Sequence, residues 1–369
     1  MVQSTLNPAN FTHYDQQKQS CLFSVLPPEI RYVIFSCALA STLDMTQSFD
    51  NQGYSTRPGY EAHHRTWTEL LRTCKRVYME AWFMPFMGSE HAFYLAWSER
   101  SPRRMTSKQK MQQYLNAIHD RHGEVHTGRI RIFAQQCELR APFKGIFTMQ
   151  HFHPISVTVT IRYTDTWSWE NNDALNIGAS WTKDMILPAS VTSFSLDVES
   201  LKRRSAEVDW VAQQASERWH FTRNDGVLLL SCPDDISISQ WTGSSVLGEE
   251  RWIRDEVQPG RLDYYVGTIT WRPSNEPLGG RPAENETLEY SETLGYNHHR
   301  VPPPWRPWNA INVHDLRRAN ISLDTPPDQV CELYQSWLNG TQPGSNEGSE
   351  GEESESEETG SDSYNESAE

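Results

Sequence analysis

The sequence lacks any unbroken run of about 18 apolar residues, the minimum for a membrane-spanning helix. Its first residues also lack the basic stretch and apolar segment of a secretory signal peptide. The 6 cysteines are far apart and form no Cys-x-x-Cys pair, so neither a disulfide framework nor a zinc ribbon is indicated. We therefore expect an intracellular protein, in the cytoplasm or the nucleus, with reduced thiols and no membrane partner.

Motifs for catalysis are missing as well. The chain has no Walker loop, no Gly-x-Gly-x-x-Gly, no Gly-x-Ser-x-Gly and no His-Glu-x-x-His sequence. We therefore predict no enzymatic activity and no cofactor. A cysteine–histidine dyad that is assembled in three dimensions stays open as an alternative, because no sequence spacing marks such a pair.

Histidine spacing gives only a weak indication of metal binding. His119, His122 and His126 are spaced as on one helical face, but Gly123 interrupts that helix, and no matching set of ligands follows. The pair in His151-x-His153 alternates before a strand, so both side chains are expected on one side. Surface histidines are the favoured interpretation, and no metal site is predicted.

Positive charge is scarce, with 33 Lys and Arg against 48 Asp and Glu and a net charge of −15. The basic clusters Arg103-Arg104 and Lys202–Arg204 are typical of solvated helix faces, so no nucleic-acid partner is predicted. Residues 341–369 are expected to be a disordered acidic tail. An acidophilic kinase of the casein type would accept three tail serines that have a glutamate three residues on: Ser349, Ser354 and Ser363.

The chain contains an apolar segment at residues 22–40, in which two prolines mark the start of a predicted helix. Pro27-Pro28 excludes a helix before it, and Glu29 adds a favourable negative charge to the first turn. Five residues share one helical stripe: Leu26, Ile30, Val33, Ile34 and Cys37. A second stripe runs from Trp67 to Ala81, with Arg72, Arg76 and Glu80 off it. Since a short helix is unstable alone, we expect the two stripes to dock as a helical pair.

The segments LPPEIRYVIF and LLRTCKRVYMEA resemble the F-box-like opening of a large group of uncharacterised fungal proteins. The resemblance extends from Leu22 to Pro273 and is interrupted by a polar insert at residues 41–65. It implies a protein-interaction module, specifically a substrate adaptor of a Skp–cullin–F-box-type ubiquitin ligase. The resemblance implies four residues that would dock the Skp-type partner: Leu26, Pro27, Ile30 and Ile34.

Two other functions stay open. The same helices fit a fungal scaffold or interaction protein with no ubiquitin role, in which they would pack on the body. An enzyme with an unrecognised site is the third alternative. Burial of Leu26, Ile30 and Ile34 against the sheet domain would remove the docking surface and exclude the adaptor.

The remaining chain predicts an α+β domain with a mixed, mostly antiparallel sheet and interspersed helices. In Ile155–Tyr163 apolar residues alternate with serine, threonine and arginine, which indicates a strand with one wet face. The predicted organisation is a flexible N-terminus at 1–20, an F-box-like helical region at 21–88, the α+β domain at 89–273, a Pro/Gly-rich linker with a short C-terminal helix at 274–340, and the tail.

The segment that begins with Trp167 and Trp169 is the best candidate for a recognition surface in this sequence, because a carboxylate and two amides follow the two tryptophans directly. If both rings lie on one side of a strand end, they form an aromatic recognition surface. The alternative is that both rings cover the sheet edge and close the core.

Overall fold

The structure of the chain is a computed structural model, and it describes residues 14–103, 105–167, 169–183, 185–291 and 303–341. The predicted acidic tail with Ser349, Ser354 and Ser363 lies outside the described residues. The fold is α+β, as predicted. Among the described residues, eight strand pairings are antiparallel and four are parallel, so the sheets are mixed but mostly antiparallel.

Capping side chains and glycines determine where the helices begin and end. The Ser107 side chain accepts a hydrogen bond from Lys110 N at the start of the longest helix of the body, and Gly123, at φ 81°, ends it. The described helices are α1 Cys21–Ser24, α2 Pro28–Ala38, α3 Lys75–Ala81, α4 Met84–Gly88, α5 Lys108–His122, α6 Ala141–Phe147, α7 Ser205–Arg218, α8 Val313–Arg318 and α9 Pro327–Thr341.

The strands form one large sheet and several small ones. Their bounds are β1 Ser41–Ser48, β2 Ala62–Thr66, β3 Glu90–Leu95, β4 Thr127–Ala134, β5 Pro154–Ile161, β6 Asn176–Ile177, β7 Ile186–Leu187, β8 Ser193–Leu201, β9 Phe221–Arg223, β10 Leu228–Leu230, β11 Ile236–Ser244, β12 Val246–Leu247, β13 Glu250–Arg251, β14 Arg261–Ser274, β15 Leu288–Glu289 and β16 Ile311–Asn312. The large sheet runs β3-β4-β5-β8-β14, and its first four strands are parallel. Beyond β14 lie β11 along its first part and β10 along its end.

One face of this sheet carries the main hydrophobic core. Val159 of β5 is paired with Ile132 of β4 and Leu196 of β8, and all three side chains are fully buried. Helices α5, α6 and α7 pack on this face through residues such as Leu115 and Val211. The alternation that the sequence showed for β5 therefore does face a core.

The opposite face of the sheet is polar, and the prediction that it is solvated holds only in part, because Ser156 and Thr158 are half-buried and Thr160 is fully buried. Thr160 of β5 is fully buried, and its Oγ1 donates to Asp197 Oδ2 at 2.9 Å. Arg131 of β4 reaches the same Thr160 oxygen at 2.9 Å. Hydrogen-bonded polar side chains can be buried in this way without a large free-energy cost.

The polar insert covers this face. Its strands β1 and β2 form an antiparallel pair, and the residues between them lie on the sheet. Arg57 Nη2 lies 3.1 Å from Glu199 Oε2, and the Tyr60 ring contacts Phe133 edge-on at 4.8 Å between centroids. The insert therefore attaches the N-terminal helices to the body.

The segment predicted as a linker packs onto the body over its described part. Leu288 and Tyr290 are buried in the main core, and β15 pairs with β6. The predicted C-terminal helix is present as α9, which packs with Ile253 and Leu316 through Val330.

Within the described ranges, five buried arginines each pair with a carboxylate. The pairs are Arg31–Glu80, Arg162–Asp165, Arg204–Glu207, Arg251–Glu256 and Arg254–Asp255. Arg251 and Glu256 are both fully buried and share two hydrogen bonds of 2.8 Å. Arg251 also donates to the carbonyls of Ser322 and Thr325, so it holds the connection between α8 and α9.

We expect Arg251→Met to lower the free energy of unfolding by about 3–5 kcal/mol, because Glu256 is left as an unpaired buried charge. Urea denaturation followed by tryptophan fluorescence measures this. Arg318→Met is the control, since the Arg318–Asp315 pair is exposed and such pairs contribute roughly 0–1 kcal/mol. Equal losses in the two variants would contradict the assigned role of the buried pair.

Candidate functional site

Helix α2 packs on α3 and α4 through one face only. Phe35 and Leu39 are buried in a small cluster with Val77, Ala81 and Met84. This cluster is separate from the main core of the sheet. The predicted pairing of the two N-terminal helices therefore exists, but through residues other than those of the predicted α2 stripe.

Arg31 decides which face of α2 is buried. Its guanidinium donates to both oxygens of Glu80, at 2.8 Å and 3.1 Å, and to the Leu26 carbonyl at 2.7 Å. Arg76 donates to the same carboxylate at 3.2 Å. The ion pair thus joins the LPPEIR segment to the second motif segment. Both Arg31 and Glu80 lie off the apolar stripes. An arginine on one helix and a glutamate on the other, with opposite charges, are the sequence signal for this contact.

The predicted docking residues lie on the outward side of α2. Ile30 is 48% exposed, Val33 57% and Ile34 40%, and they span about 100° of arc around the helix. Pro27 is exposed and Leu26 is half-buried. The expectation that this stripe docks against the second helix is therefore wrong, because Phe35, Leu39 and the Arg31 ion pair already form that contact. We call Leu26, Pro27, Ile30, Val33 and Ile34 the docking face.

The second motif segment is helical in two pieces rather than one. Cys74, with extended backbone at φ −155° and ψ 160°, separates a 3-10 turn at Glu69–Arg72 from α3. Its Sγ accepts the Val77 N–H at 3.5 Å and so caps α3. Trp67, predicted on the buried stripe, is exposed instead, and Arg65 lies over its ring.

Trp167 and Trp169 do not share a surface. Trp169 is 2% exposed and packs on Trp252 at 4.3 Å between ring centroids, whereas Trp167 is 63% exposed. Because Trp169 closes a core cluster with Tyr163 and Tyr264, it is not available to a partner. The predicted two-tryptophan recognition surface is therefore reduced to Trp167.

A wide cleft of about 1170 Å³ lies between the insert and the body. Four exposed carboxylates and one arginine line it: Asp50, Glu99, Glu249, Glu250 and Arg103. The excess of negative charge favours a cationic ligand or a basic peptide segment.

Two polar sites, at Cys232 and at Glu199, contain residue types that occur in active sites. The Cys232 thiol donates to Asp235 Oδ2 at 3.1 Å, and this hydrogen bond raises the pKa of Cys232, so the nucleophilic thiolate is disfavoured. Glu199 accepts from Trp241 Nε1 at 3.1 Å beside Arg57, but the cavity there has a volume of about 30 Å³. That volume holds a few waters at most and no substrate.

An apolar cavity of about 410 Å³ lies where α3 and α4 meet α5. Tyr78 Oη lies 3.0 Å from His122 Nε2, and Trp82 stacks on the same imidazole at 3.7 Å between centroids. His91 lies deeper in the cavity. Its Nε2 is 2.9 Å from the Phe86 carbonyl oxygen, and Nε2 therefore carries the proton. Burial lowers the pKa of His91 and so favours its neutral form.

A comparison of the chain with protein-family models, curated proteins and solved structures found no match. The F-box-like resemblance therefore stays a prediction that depends on the motif residues. In the part of the chain that the structure describes, no helix combines the length and the apolarity needed to cross a membrane.

We expect Glu80→Ala to loosen α2, because Arg31 then loses its bidentate partner while its side chain is still buried. The free energy of unfolding should fall by about 1–3 kcal/mol, and amide hydrogen exchange should rise in residues 31–39. Glu69→Ala, at an exposed position nearby, is the control. Unchanged exchange in α2 of Glu80→Ala would show that Phe35 and Leu39 alone orient the helix.

We expect stability to fall as pH drops below about 6.5, the usual pKa of histidine. Below that pH the unfolded chain takes up a proton on His91, whereas the folded chain, in which the pKa of His91 is lowered, takes it up only at a lower pH. His91→Gln should flatten the pH dependence of the thermal midpoint, and His126→Gln, at an exposed position, should not. Identical slopes for wild type and His91→Gln would contradict the role of His91.

Proposed function

We propose that the chain is a non-enzymatic, F-box-like interaction module that binds a Skp-type adaptor through the docking face. The supporting observation is that Ile30, Val33 and Ile34 are exposed on a helix whose opposite side is held by Phe35, Leu39 and the Arg31–Glu80 pair. Burial of Leu26, Ile30 and Ile34 against the sheet domain would have excluded the adaptor, but Ile30 and Ile34 are exposed and Leu26 is only half-buried.

The docking face suits recognition of an apolar groove or helix surface. Clustered apolar side chains on one side of a rigid helix are typical anchors in such interfaces. Full burial of one large apolar side chain contributes about 1.5–3 kcal/mol, of which roughly half is still available at positions as exposed as Ile30 and Val33. Three such residues supply roughly 2–5 kcal/mol, so the rest of the interface must supply the remaining binding free energy.

The body would hold the second partner. We expect a basic segment in the cleft between insert and body, because Asp50, Glu99, Glu249 and Glu250 line it. The pairing of Arg57 with Glu199 fixes the insert on the sheet, so the docking face and the cleft keep a constant geometry. Such a geometry is what a substrate adaptor needs. We propose an intracellular location, in the cytoplasm or the nucleus, where ligase partners are found.

A scaffold with no ubiquitin role is the second candidate. It would use the same exposed face for a different protein partner, and the Skp-type adaptor would not bind. Phosphorylation of Ser349, Ser354 and Ser363 stays a prediction for either function.

The test is co-purification of the full chain with a fungal Skp-type adaptor. We expect the wild type to bind and Ile30→Asp/Ile34→Asp to lose at least 100-fold in affinity, because charges then enter an apolar interface. Both positions are exposed in the free protein, so the variant should stay folded by circular dichroism, with a thermal midpoint within a few degrees of wild type.

Ile238→Asp/Val257→Asp is the matched control, since both side chains are exposed on the body. It should bind like the wild type. A folded wild type that does not bind the adaptor would overturn the ligase function and leave the scaffold. Equal weakening in both double variants would show that the adaptor does not recognise α2.

A further inference from the structure

Three histidines surround the carboxylate of Glu124, next to the N-terminal ends of β4 and β5. Glu124 Oε1 lies 2.8 Å from His151 Nδ1 and 3.2 Å from His119 Nδ1. Its other oxygen, Oε2, lies 2.7 Å from His153 Nε2. The donor atoms of His119, Glu124 and His151 all lie within 4.8 Å of one another.

The topology of the sheet brings these residues together. Strands β4 and β5 are parallel neighbours with Thr127 paired to Pro154, so the residues that precede each strand lie side by side. The Thr127 N–H donates to the His153 carbonyl at 2.8 Å and extends this pairing to the cluster. His119 comes from the last turn of α5, which ends at Gly123, directly before Glu124.

His151 is held in a backbone conformation that few residues other than glycine adopt. Its φ is 57°, in the left-handed region, which costs roughly 1 kcal/mol or more for a side chain of this kind. The residue before it is clamped to α5, because Gln150 N donates to Gln112 Oε1 at 2.9 Å and Gln112 Nε2 donates back to the Gln150 carbonyl at 3.1 Å. The imidazole of His151 also stacks on that of His119, at 3.6 Å between centroids and 13° between planes.

We propose that His119, Glu124 and His151 bind a divalent transition-metal ion of the zinc class, with a water molecule in the fourth position. Two imidazoles and a carboxylate are a donor set that suits Zn²⁺. Donors at about 2.0–2.1 Å from one ion stand roughly 3–3.4 Å apart, close to the 2.8 Å and 3.2 Å between Glu124 and the two imidazoles. His119 Nδ1 has no hydrogen-bond partner among the described residues, so metal binding would supply the partner that this buried nitrogen lacks.

Binding requires a small rearrangement. The rings of His119 and His151 are nearly parallel, so each must rotate for its Nδ1 lone pair to point at the ion. Both histidines are only partly buried, which leaves them room to turn. Each ring must also carry its remaining proton on Nε2. With a water molecule in the fourth position the site would be tetrahedral, and it would join the end of α5 to the segment before β5.

The test uses the full chain without any affinity tag, stripped of metal with a chelator and titrated with ZnCl₂ by calorimetry. We expect one Zn²⁺ per chain and a thermal midpoint that rises by several degrees in excess Zn²⁺. His119→Gln and His151→Asn should each weaken binding at least tenfold. Asparagine is chosen at position 151 because it tolerates the left-handed backbone and removes only the imidazole.

His126→Gln is the matched control, because it lies in the same loop two residues from Glu124 and outside the cluster. It should bind Zn²⁺ like the wild type. Co²⁺ in place of Zn²⁺ should give the intense visible absorption of a tetrahedral site, and His119→Gln should reduce it. Wild-type binding that is no tighter than that of His119→Gln and His151→Asn would overturn the proposal and leave the cluster as an ion-paired loop contact.

Discussion

The architecture depends on the rule that a buried guanidinium must have a carboxylate partner. Arg251–Glu256 holds the C-terminal helices on the body, and Arg162–Asp165 stabilises the turn that follows β5. The less deeply buried Arg57–Glu199 pair brings the polar insert onto the sheet in the same way. These pairs add little net free energy over apolar replacements, but breaking one is costly, so they specify where each segment docks.

Arg31–Glu80 is the member of this set with the most direct bearing on function. An α2 helix with apolar residues on nearly every side could have packed with either face inward. The bidentate ion pair turns Arg31, Phe35 and Leu39 inward and leaves Ile30 and Ile34 outside. A helix held in this way presents its apolar residues without losing its own packing, which is the property that a docking element requires.

Much of the fold could be predicted from local patterns. Pro27-Pro28 predicts the start of α2 within a residue, and Ser107 and Gly123 bound α5. The alternation in β5 predicts both its strand and the buried residues. The prediction failed at Thr160 on the second face, because the hydrogen-bond partners of Thr160 are distant in sequence: Arg131 in β4 and Asp197 in β8. It failed again for Trp167 and Trp169, which a turn places in opposite environments.

Periodicity and start signals thus establish which segments are helices and strands, since these depend on neighbours within one or two turns. They also establish which side chains are candidates for docking. Contacts between residues 27 to 49 positions apart decide which face of α2 is outward and bring His119 and His151 together at Glu124. Such contacts depend on strand register and on the pairing of buried charges, and neither has a signature in the local sequence.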